Sequence, residues 1–423
     1  MSLRSEKELR HLVAENVISE DTSKAISDYY ASQKKNSPNK LFTLFGVLGG
    51  LLIGLGVILI LAHNWDDFSR GVKTIWAFAP LVVGQAFAGF ALWKKKGPAW
   101  KETAAAFLFF AIGASISLVS QIYNIPGSMS SFLLTWILLA APMVYLLRSH
   151  TATLLHLIFA TAYACNVGYF NDASPWGYLV LLVWVLPLYY SQLKSHSEAN
   201  ITGIYHWAFG LSVIITLGAF VSGAANFGYV LYILLFGILY NLGKLPFFDH
   251  KKVRVNGYLV LGTLGMIYLL MVASFKWIWN ERYFKTGDTI DLVFAGALVL
   301  ITLGILFNLY RKRRLVPFNV FQYVSLLFVL IYAIGHFRTD ISIILVNVLT
   351  LLLGVSAVRT GAQQGRYGML NFGMLIITIL IACRFFDTQI SFVVRGLLFV
   401  GIGVGFFVAN YLMYKKQIRL KNE

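Results

Sequence analysis

Long apolar runs separated by short polar breaks make up most of the chain from residue 41 onward. Each run has close to the roughly 20 residues that a helix needs to cross the hydrocarbon core of a bilayer. Run length predicts about fourteen spans, at residues 41–62, 72–93, 103–122, 131–147, 151–169, 175–192, 203–222, 226–243, 256–275, 289–310, 317–336, 341–358, 367–383 and 392–413. The pattern therefore predicts an all-α fold, a polytopic transmembrane helical bundle.

The forty residues before the first run are polar and predict a short helical hairpin. Ser5 and Glu8 have the spacing of a capping box, in which each residue satisfies a backbone N–H of the other. Ser19 precedes a second helical stripe that contains Ile26 and Tyr29. Two helices of this length bury too little surface to be stable alone, so we expect them to dock on the membrane face or on a partner protein.

These patterns divide the chain into four parts. We expect a cytoplasmic two-helix segment at residues 1–40, an N-terminal membrane region at 41–192, a C-terminal membrane region at 193–414 and a basic tail at 415–423. The loops between the predicted spans are short, which leaves no room for another extramembrane domain.

The basic residues predict the orientation of the spans. With the N-terminus inside, 27 of the 35 Lys and Arg residues fall on the inner side, and excess Lys and Arg marks cytoplasmic loops. We therefore expect a multi-pass protein of the cytoplasmic membrane with both termini in the cytoplasm. The net charge of +17 then reflects topology and contact with anionic lipid, so membrane lipids are expected partners and nucleic acid is not.

Four polar clusters end predicted inside-to-outside spans: AHNWDD, SQIYN, GHFRTD and CRFFD. Each has a structural interpretation; Asn64, for example, can cap an interfacial helix. Alternatively, several clusters converge into one polar pocket on the outer face. The residues proposed for that pocket are His63, Asn64, Trp65, Asp66, Gln121, Tyr123, Arg384 and Asp387.

Glycines recur every four residues in two predicted spans, a spacing that lets helix backbones approach closely. They predict helix packing at Gly46, Gly50, Gly54, Gly401 and Gly405.

The polar residues inside the predicted spans are neutral, and we expect most of them to form hydrogen bonds between helices. They are Gln85, His156, Asn166, His206, Asn241, Asn308, Gln322 and Asn347. All 18 acidic residues lie in loops, tails or span ends, which disfavours a mid-membrane carboxylate proton relay. Two separated cysteines, Cys165 and Cys383, predict neither a disulfide framework nor a metal site, and no cofactor is expected.

Several stretches together resemble domain-of-unknown-function family 2157, a family of predicted bacterial membrane proteins. They are VISEDTSKAISDYY, ILAHNWDD, IGASISLVSQIYNIPG and LLRSHTATLLHL, within residues 10–157. Near the C-terminus, LNFGMLIITILIACRFFD and RGLLFVGIGVGFFVAN resemble the tail of longer members. The resemblance implies a multi-spanning membrane protein and brings no established activity.

Three functions fit this sequence. The first is the binding or translocation of an amphipathic, lipid-like substrate, which suits many spans with small loops and a polar outer rim. The second is a non-catalytic scaffold or sensor that docks partners through the N-terminal hairpin. The third is an outer-face enzyme acting on a lipid-linked substrate; no recognisable catalytic motif is present and no catalytic residue is proposed.

Overall fold

The computed structural model describes residues 9, 11–15, 17–35, 65–171, 173–221, 227–249, 255–279, 289–312 and 319–387, with scattered positions between 393 and 415. These residues form helices and turns, and no strand occurs among them. The predicted all-α fold class is confirmed. The chain divides into two compact units, residues 1–76 and 77–423.

Fifteen α-helices occur in the described part of the chain. They are α1 (Glu20–Lys35), α2 (Arg70–Trp93), α3 (Pro98–Tyr123), α4 (Met129–Ala140), α5 (Pro142–Leu146), α6 (His150–Asn171), α7 (Trp176–Ser195), α8 (Asn200–Phe220), α9 (Phe227–Gly243), α10 (Pro246–Asp249), α11 (Gly257–Ala273), α12 (Thr289–Arg311), α13 (Val324–Gly335), α14 (Thr339–Gln363) and α15 (Tyr367–Asp387). Short 3-10 helices occupy Lys276–Trp279 and Val320–Gln322.

Nine segments of the described chain are long and apolar enough to cross a membrane. Eight are single helices (α2, α3, α6, α7, α8, α12, α14 and α15), and the ninth, Met129–Leu146, joins α4 and α5. Three of the predicted spans correspond to the shorter apolar helices α9, α11 and α13. Residues 41–62, the first predicted span, lie outside the described residues, and residues 392–413 are described only in part. The number of about fourteen spans therefore stays a prediction.

The described residues of the first unit include the second predicted N-terminal helix. Ser19 caps α1, because its hydroxyl accepts a hydrogen bond from the backbone N–H of Thr22 at 3.2 Å. Residues 11–14 are also helical, whereas Ser5 and Glu8 of the predicted capping box lie outside the described residues. Farther along, a turn occupies residues 65–67.

In the second unit, α9 lies at the centre of the apolar core. Its sequence is apolar on all sides, which is the pattern of a helix that other helices surround. Helices α8, α11, α12 and α13 pack against it, and most of its side chains are buried. Asn256 fixes the connection from α9 to α11, because its amide donates to the carbonyl of Gly243 at 2.9 Å while its oxygen accepts from Leu259 N–H.

Close glycine contacts join α14 to α15 and α9 to α11. A side chain at Gly361 or Gly373 would overlap the backbone of the facing helix, and one at Gly262 would lie 2.6 Å from the carbonyl oxygen of Phe236. Of the glycines predicted to pack, Gly46, Gly50 and Gly54 lie outside the described residues. A Cβ at Gly405 would meet Met374 at 3.5 Å, and one at Gly401 would meet nothing within 4 Å. Their packing role stays a prediction.

Candidate functional site

Helices α2 and α3 approach closely at one level. A Cβ at Gly84 would lie 3.2 Å from the Cα of Leu108, so only a glycine lets the backbones come this near without a shift. Farther along α3, Ser115 donates a hydrogen bond to the carbonyl of Ala77 at 2.7 Å. Pro80 in α2 has no N–H and cannot donate a hydrogen bond within its helix. The Ser115 hydroxyl supplies a donor to the same turn of α2.

The connection from α3 to α4 is a compact turn fixed by serines. Asn124 ends α3 in the left-handed conformation, with φ 50°. The N–H of Ile125 donates to the carbonyl of Ser120, and the Ser120 hydroxyl donates back to the carbonyl of Ile125 at 2.8 Å. Ser128 then caps α4 by accepting from Ser131 N–H.

An aromatic cluster holds α3 against α4 and α6. The Trp136 indole donates to the carbonyl of Phe109 at 2.7 Å, and its ring centroid lies 4.4 Å from that of Phe159. Trp136 covers Gly113 so closely that a Cβ there would overlap the indole ring.

Between α2, α3, the turn and α4 lies an open cleft of about 790 Å³, which we name the serine-lined cleft. It extends for about 12 Å along α3, given the rise of a helix from Ile112 to Ser120. Its apolar lining includes Phe78, Leu81, Ile116 and Phe132. Its polar lining consists of Gln85, Ser115, Ser117, Ser120, Ser128, Ser131 and Thr135. The residues that line it include no Lys, Arg, His, Asp or Glu.

Several hydroxyls of the cleft already donate their hydrogen to the protein. Ser115 and Ser120 donate to backbone carbonyls, and Thr135 donates to the carbonyl of Ser131 at 2.8 Å. Each such oxygen keeps acceptor capacity. Gln85 and Ser117 are exposed, and within the described chain their side chains have no hydrogen-bond partner. A ligand in the cleft therefore meets several acceptors and two uncommitted polar groups.

Of the polar residues predicted at the outer face, Trp65 and Asp66 lie in the turn that precedes α2. Asp66 is exposed, and the Trp65 ring centroid lies 5.9 Å from the Lys73 ammonium. Ser69 caps α2 through Val72 N–H at 3.4 Å. His63 and Asn64 lie outside the described residues, so the Asn64 cap stays a prediction. The helix after this turn begins at Arg70.

The remaining predicted residues lie at the ends of two helices. Gln121 and Tyr123 are in the last turn of α3, and both are exposed. Arg384 in α15 donates to the Ser274 hydroxyl at 3.1 Å, and its guanidinium lies 5.1 Å from the Phe275 ring centroid. Asp387 is the last residue of α15.

These contacts do not test whether the predicted cluster forms one site. Helix α3 packs against α4 and α6, whereas α15 packs against α14 and α11. Gln121 and Tyr123 also lie outside the lining of the serine-lined cleft. The convergence of Tyr123 and Arg384 at one site stays a prediction.

The neutral polar residues inside the spans behave in two ways. Four hydrogen-bond to a carbonyl of another segment. His156 bonds to Leu181 of helix α7, as predicted, whereas the carbonyls that accept from the other three lie outside the α-helices: His206 bonds to Val255, Asn241 to Gln322 and Asn347 to Ser274. Gln85 instead faces the cleft. A glutamine in an apolar helix was the sequence signal nearest to this site, and the prediction of helix–helix hydrogen bonds passed over it.

Sequence reasoning also missed two acidic side chains at helix ends. Glu102 of α3 accepts hydrogen bonds from the Ser149 hydroxyl and from the N–H groups of His150 and Thr151. It therefore caps α6 from a neighbouring helix. Asp291 in the first turn of α12 is fully buried, and both of its carboxylate oxygens lack a hydrogen-bond partner in the described chain.

Comparison with known families agrees with the motifs. A family model described as "Predicted membrane protein (DUF2157)" matches residues 10–153. Residues 10–153 match DUF2157. The match covers about a third of the chain and confirms the family resemblance of the N-terminal stretches, while the two C-terminal stretches lie outside it. It includes every residue that lines the serine-lined cleft, so the cleft lies in the part of the chain that resembles DUF2157.

No curated protein and no solved structure matches the chain. The apolar helices and the DUF2157 match identify an integral membrane protein.

Proposed function

We propose that this protein binds an amphipathic, lipid-like molecule in the serine-lined cleft. The observation that carries this proposal is an open cleft of about 790 Å³ whose walls combine apolar side chains with seven polar ones. Polar groups within a membrane span are costly unless they serve packing or function. Gln85 and Ser117 make no hydrogen bond among the described residues, so no hydrogen bond between the described helices accounts for them.

The shape of the cleft supports a lipid-like ligand over a water-soluble one. Its lining runs from Leu81 and Ile112, inside the spans, to Pro126 and Met129 in the turn at their end. A lipid headgroup entering at the turn can occupy the polar wall while its acyl chains stay beside the helices. Such a path for a headgroup along the spans also suits translocation of the lipid.

A photoactivatable fatty acid, which cells incorporate into all their lipid classes, tests the proposal. Ultraviolet cross-linking of the full-length protein should label peptides that line the cleft more strongly than peptides of α12, a largely exposed span. Ser117→Phe should fill the cleft and reduce this labelling, because Ser117 is exposed and lines it. Ala86→Phe is the matched control, since Ala86 is also exposed but does not line the cleft. Equal labelling of cleft and α12, unchanged in Ser117→Phe, would contradict lipid binding there.

We also propose that both termini are cytoplasmic and that the turn between α3 and α4 faces outside. The basic-residue distribution supports this orientation. In a variant with Cys165 and Cys383 replaced by alanine, Ile125→Cys should react with a membrane-impermeant maleimide in intact cells. Gly97→Cys, in the preceding loop, should react only after lysis; both positions are exposed. The reverse pattern would show the opposite orientation.

A further inference from the structure

We infer that the ligand of the serine-lined cleft is a lipid with an uncharged, hydroxyl-bearing headgroup, such as a diacylglycerol or a glycosyl diacylglycerol. This inference rests on the proposed function and specifies the chemistry of its substrate. It comes from two properties of the lining: the absence of charged side chains and the commitment of its hydroxyl hydrogens.

The first property disfavours a charged headgroup. The residues that line the cleft carry no Lys, Arg or His that could pair with a phosphate, and no Asp or Glu that could pair with an ammonium. A charge that leaves water without an opposite charge loses solvation that neutral partners replace only in part. A phosphorylated headgroup that entered the polar wall would meet this cost, whereas a glycerol or sugar hydroxyl would not.

The second property favours a headgroup that donates hydrogen bonds. Ser115, Ser120 and Thr135 spend their hydrogens on backbone carbonyls, so their oxygens remain as acceptors. An ionised phosphate only accepts, and so does the carbonyl of an ester. A headgroup hydroxyl can donate to these serine and threonine oxygens.

Gln85 and Ser117 complete the match. Each offers both a donor and an acceptor, and neither has a hydrogen-bond partner in the described chain. A sugar or glycerol hydroxyl likewise both donates and accepts. Gln85 follows Gly84 in α2 and lines the cleft within the span. A headgroup with several hydroxyls can therefore meet polar groups both at the turn and at Gln85.

Four lipids with identical acyl chains separate the possibilities. Diacylglycerol and monoglucosyl diacylglycerol carry hydroxyls and no charge. Phosphatidylglycerol carries hydroxyls and one negative charge. Phosphatidylcholine has no net charge and no hydroxyl or N–H donor. Their affinities for the purified full-length protein can be measured by native mass spectrometry in detergent, with Ser117→Phe and Ala86→Phe in parallel.

We expect monoglucosyl diacylglycerol to bind at least about tenfold more tightly than phosphatidylglycerol or phosphatidylcholine, the factor that corresponds to one uncompensated polar or charged group. Ser117→Phe should abolish this preference and Ala86→Phe should keep it. Gln85→Leu should weaken the binding of monoglucosyl diacylglycerol about two- to twelvefold, which is the effect of one lost hydrogen bond. Ala86→Leu should leave this affinity unchanged.

The possible failures are distinguishable. If phosphatidylglycerol or phosphatidylcholine binds as tightly as the glycolipid and Ser117→Phe removes that binding, the headgroup inference is overturned and lipid binding in the cleft stands. If Ser117→Phe changes the binding of none of the four lipids, both the inference and the proposed function fail.

Discussion

At the scale of single residues, Gly113 controls how α3 meets α4. Because a Cβ at this position would overlap the Trp136 indole, Gly113→Ala must displace a ring that is held by a hydrogen bond to Phe109 and by contact with Phe159. Overpacking of this kind costs about 1–3 kcal/mol. We expect Gly113→Ala to lower the melting temperature of the detergent-purified protein and to change tryptophan fluorescence.

Gly89 provides the control for this substitution. It lies within α2, and a Cβ there would meet no heavy atom within 4 Å. Gly89→Ala should leave stability unchanged or raise it by about 0.5–1 kcal/mol, because alanine favours a helix over glycine. If Gly113→Ala melts at the same temperature as Gly89→Ala, the ring at Trp136 is not fixed as the structure shows it.

The sequence signals at this scale have different strengths. Helix starts depend on two or three neighbouring residues, and the predicted start of the second helix at Ser19 agrees with α1, which begins at Glu20. Contacts such as that of Gly113 with Trp136 depend on how two helices are rotated, and a glycine within an apolar run does not reveal which helix covers it. A four-residue glycine spacing favours close packing but does not identify the partner. The same limit applies to Gln85, because its spacing does not show whether it faces a helix, a cleft or lipid.

At the scale of helices, Glu102 links α3 to the start of α6. Its carboxylate accepts three hydrogen bonds, from the Ser149 hydroxyl and the N–H groups of His150 and Thr151. The first N–H groups of a helix have no partner within the helix, and a negative charge there is also favoured by the helix dipole. Glu102→Ala removes the carboxylate that accepts from those donors. We expect this loss to lower the free energy of unfolding by about 2–4 kcal/mol.

Thermal unfolding of the purified protein measures this loss. Glu102→Gln keeps one acceptor oxygen, so its melting temperature should lie between those of the wild type and Glu102→Ala. Thr103→Ala serves as the neighbouring control, since Thr103 is exposed and only bonds back to the carbonyl of Ala99 within α3. Equal stability of Glu102→Ala and Thr103→Ala would rule out a stabilising cap.

The helices themselves were largely predictable because apolar run length reflects the thickness of the bilayer. Twelve of the predicted spans correspond to helical segments of the described chain. Helix α13 is shorter than its predicted span, because a 3-10 helix at Val320–Gln322 forms the first part of that span. The cleft was not predictable in the same way. It results from the approach of α2 to α3 at Gly84 and from the serine turn before α4, and both depend on tertiary contacts.

At the scale of the whole molecule, the distribution of acidic groups determines which forms of energy coupling are available. A carboxylate that binds a proton in one conformation and releases it in another is a frequent device of ion-coupled transporters, and it lies near the middle of the membrane. Within the described spans the acidic residues lie among the five residues nearest a helix end, at Glu102, Asp291, Asp340 and Asp387. Among them Asp291 is fully buried and is therefore the one to test.

We expect proteoliposomes that contain the purified protein to show no more proton flux than protein-free liposomes when a pH gradient is applied, with or without a membrane potential. A pH-sensitive dye trapped inside the vesicles measures the flux. Asp291→Asn should not alter it, because a single carboxylate at the end of α12 leaves the middle of that span without an acidic group to carry the proton onward. Lipid binding by Asp291→Asn, measured alongside, reports whether the variant is folded. A proton current that disappears in Asp291→Asn while lipid binding persists would make this protein a proton-coupled transporter.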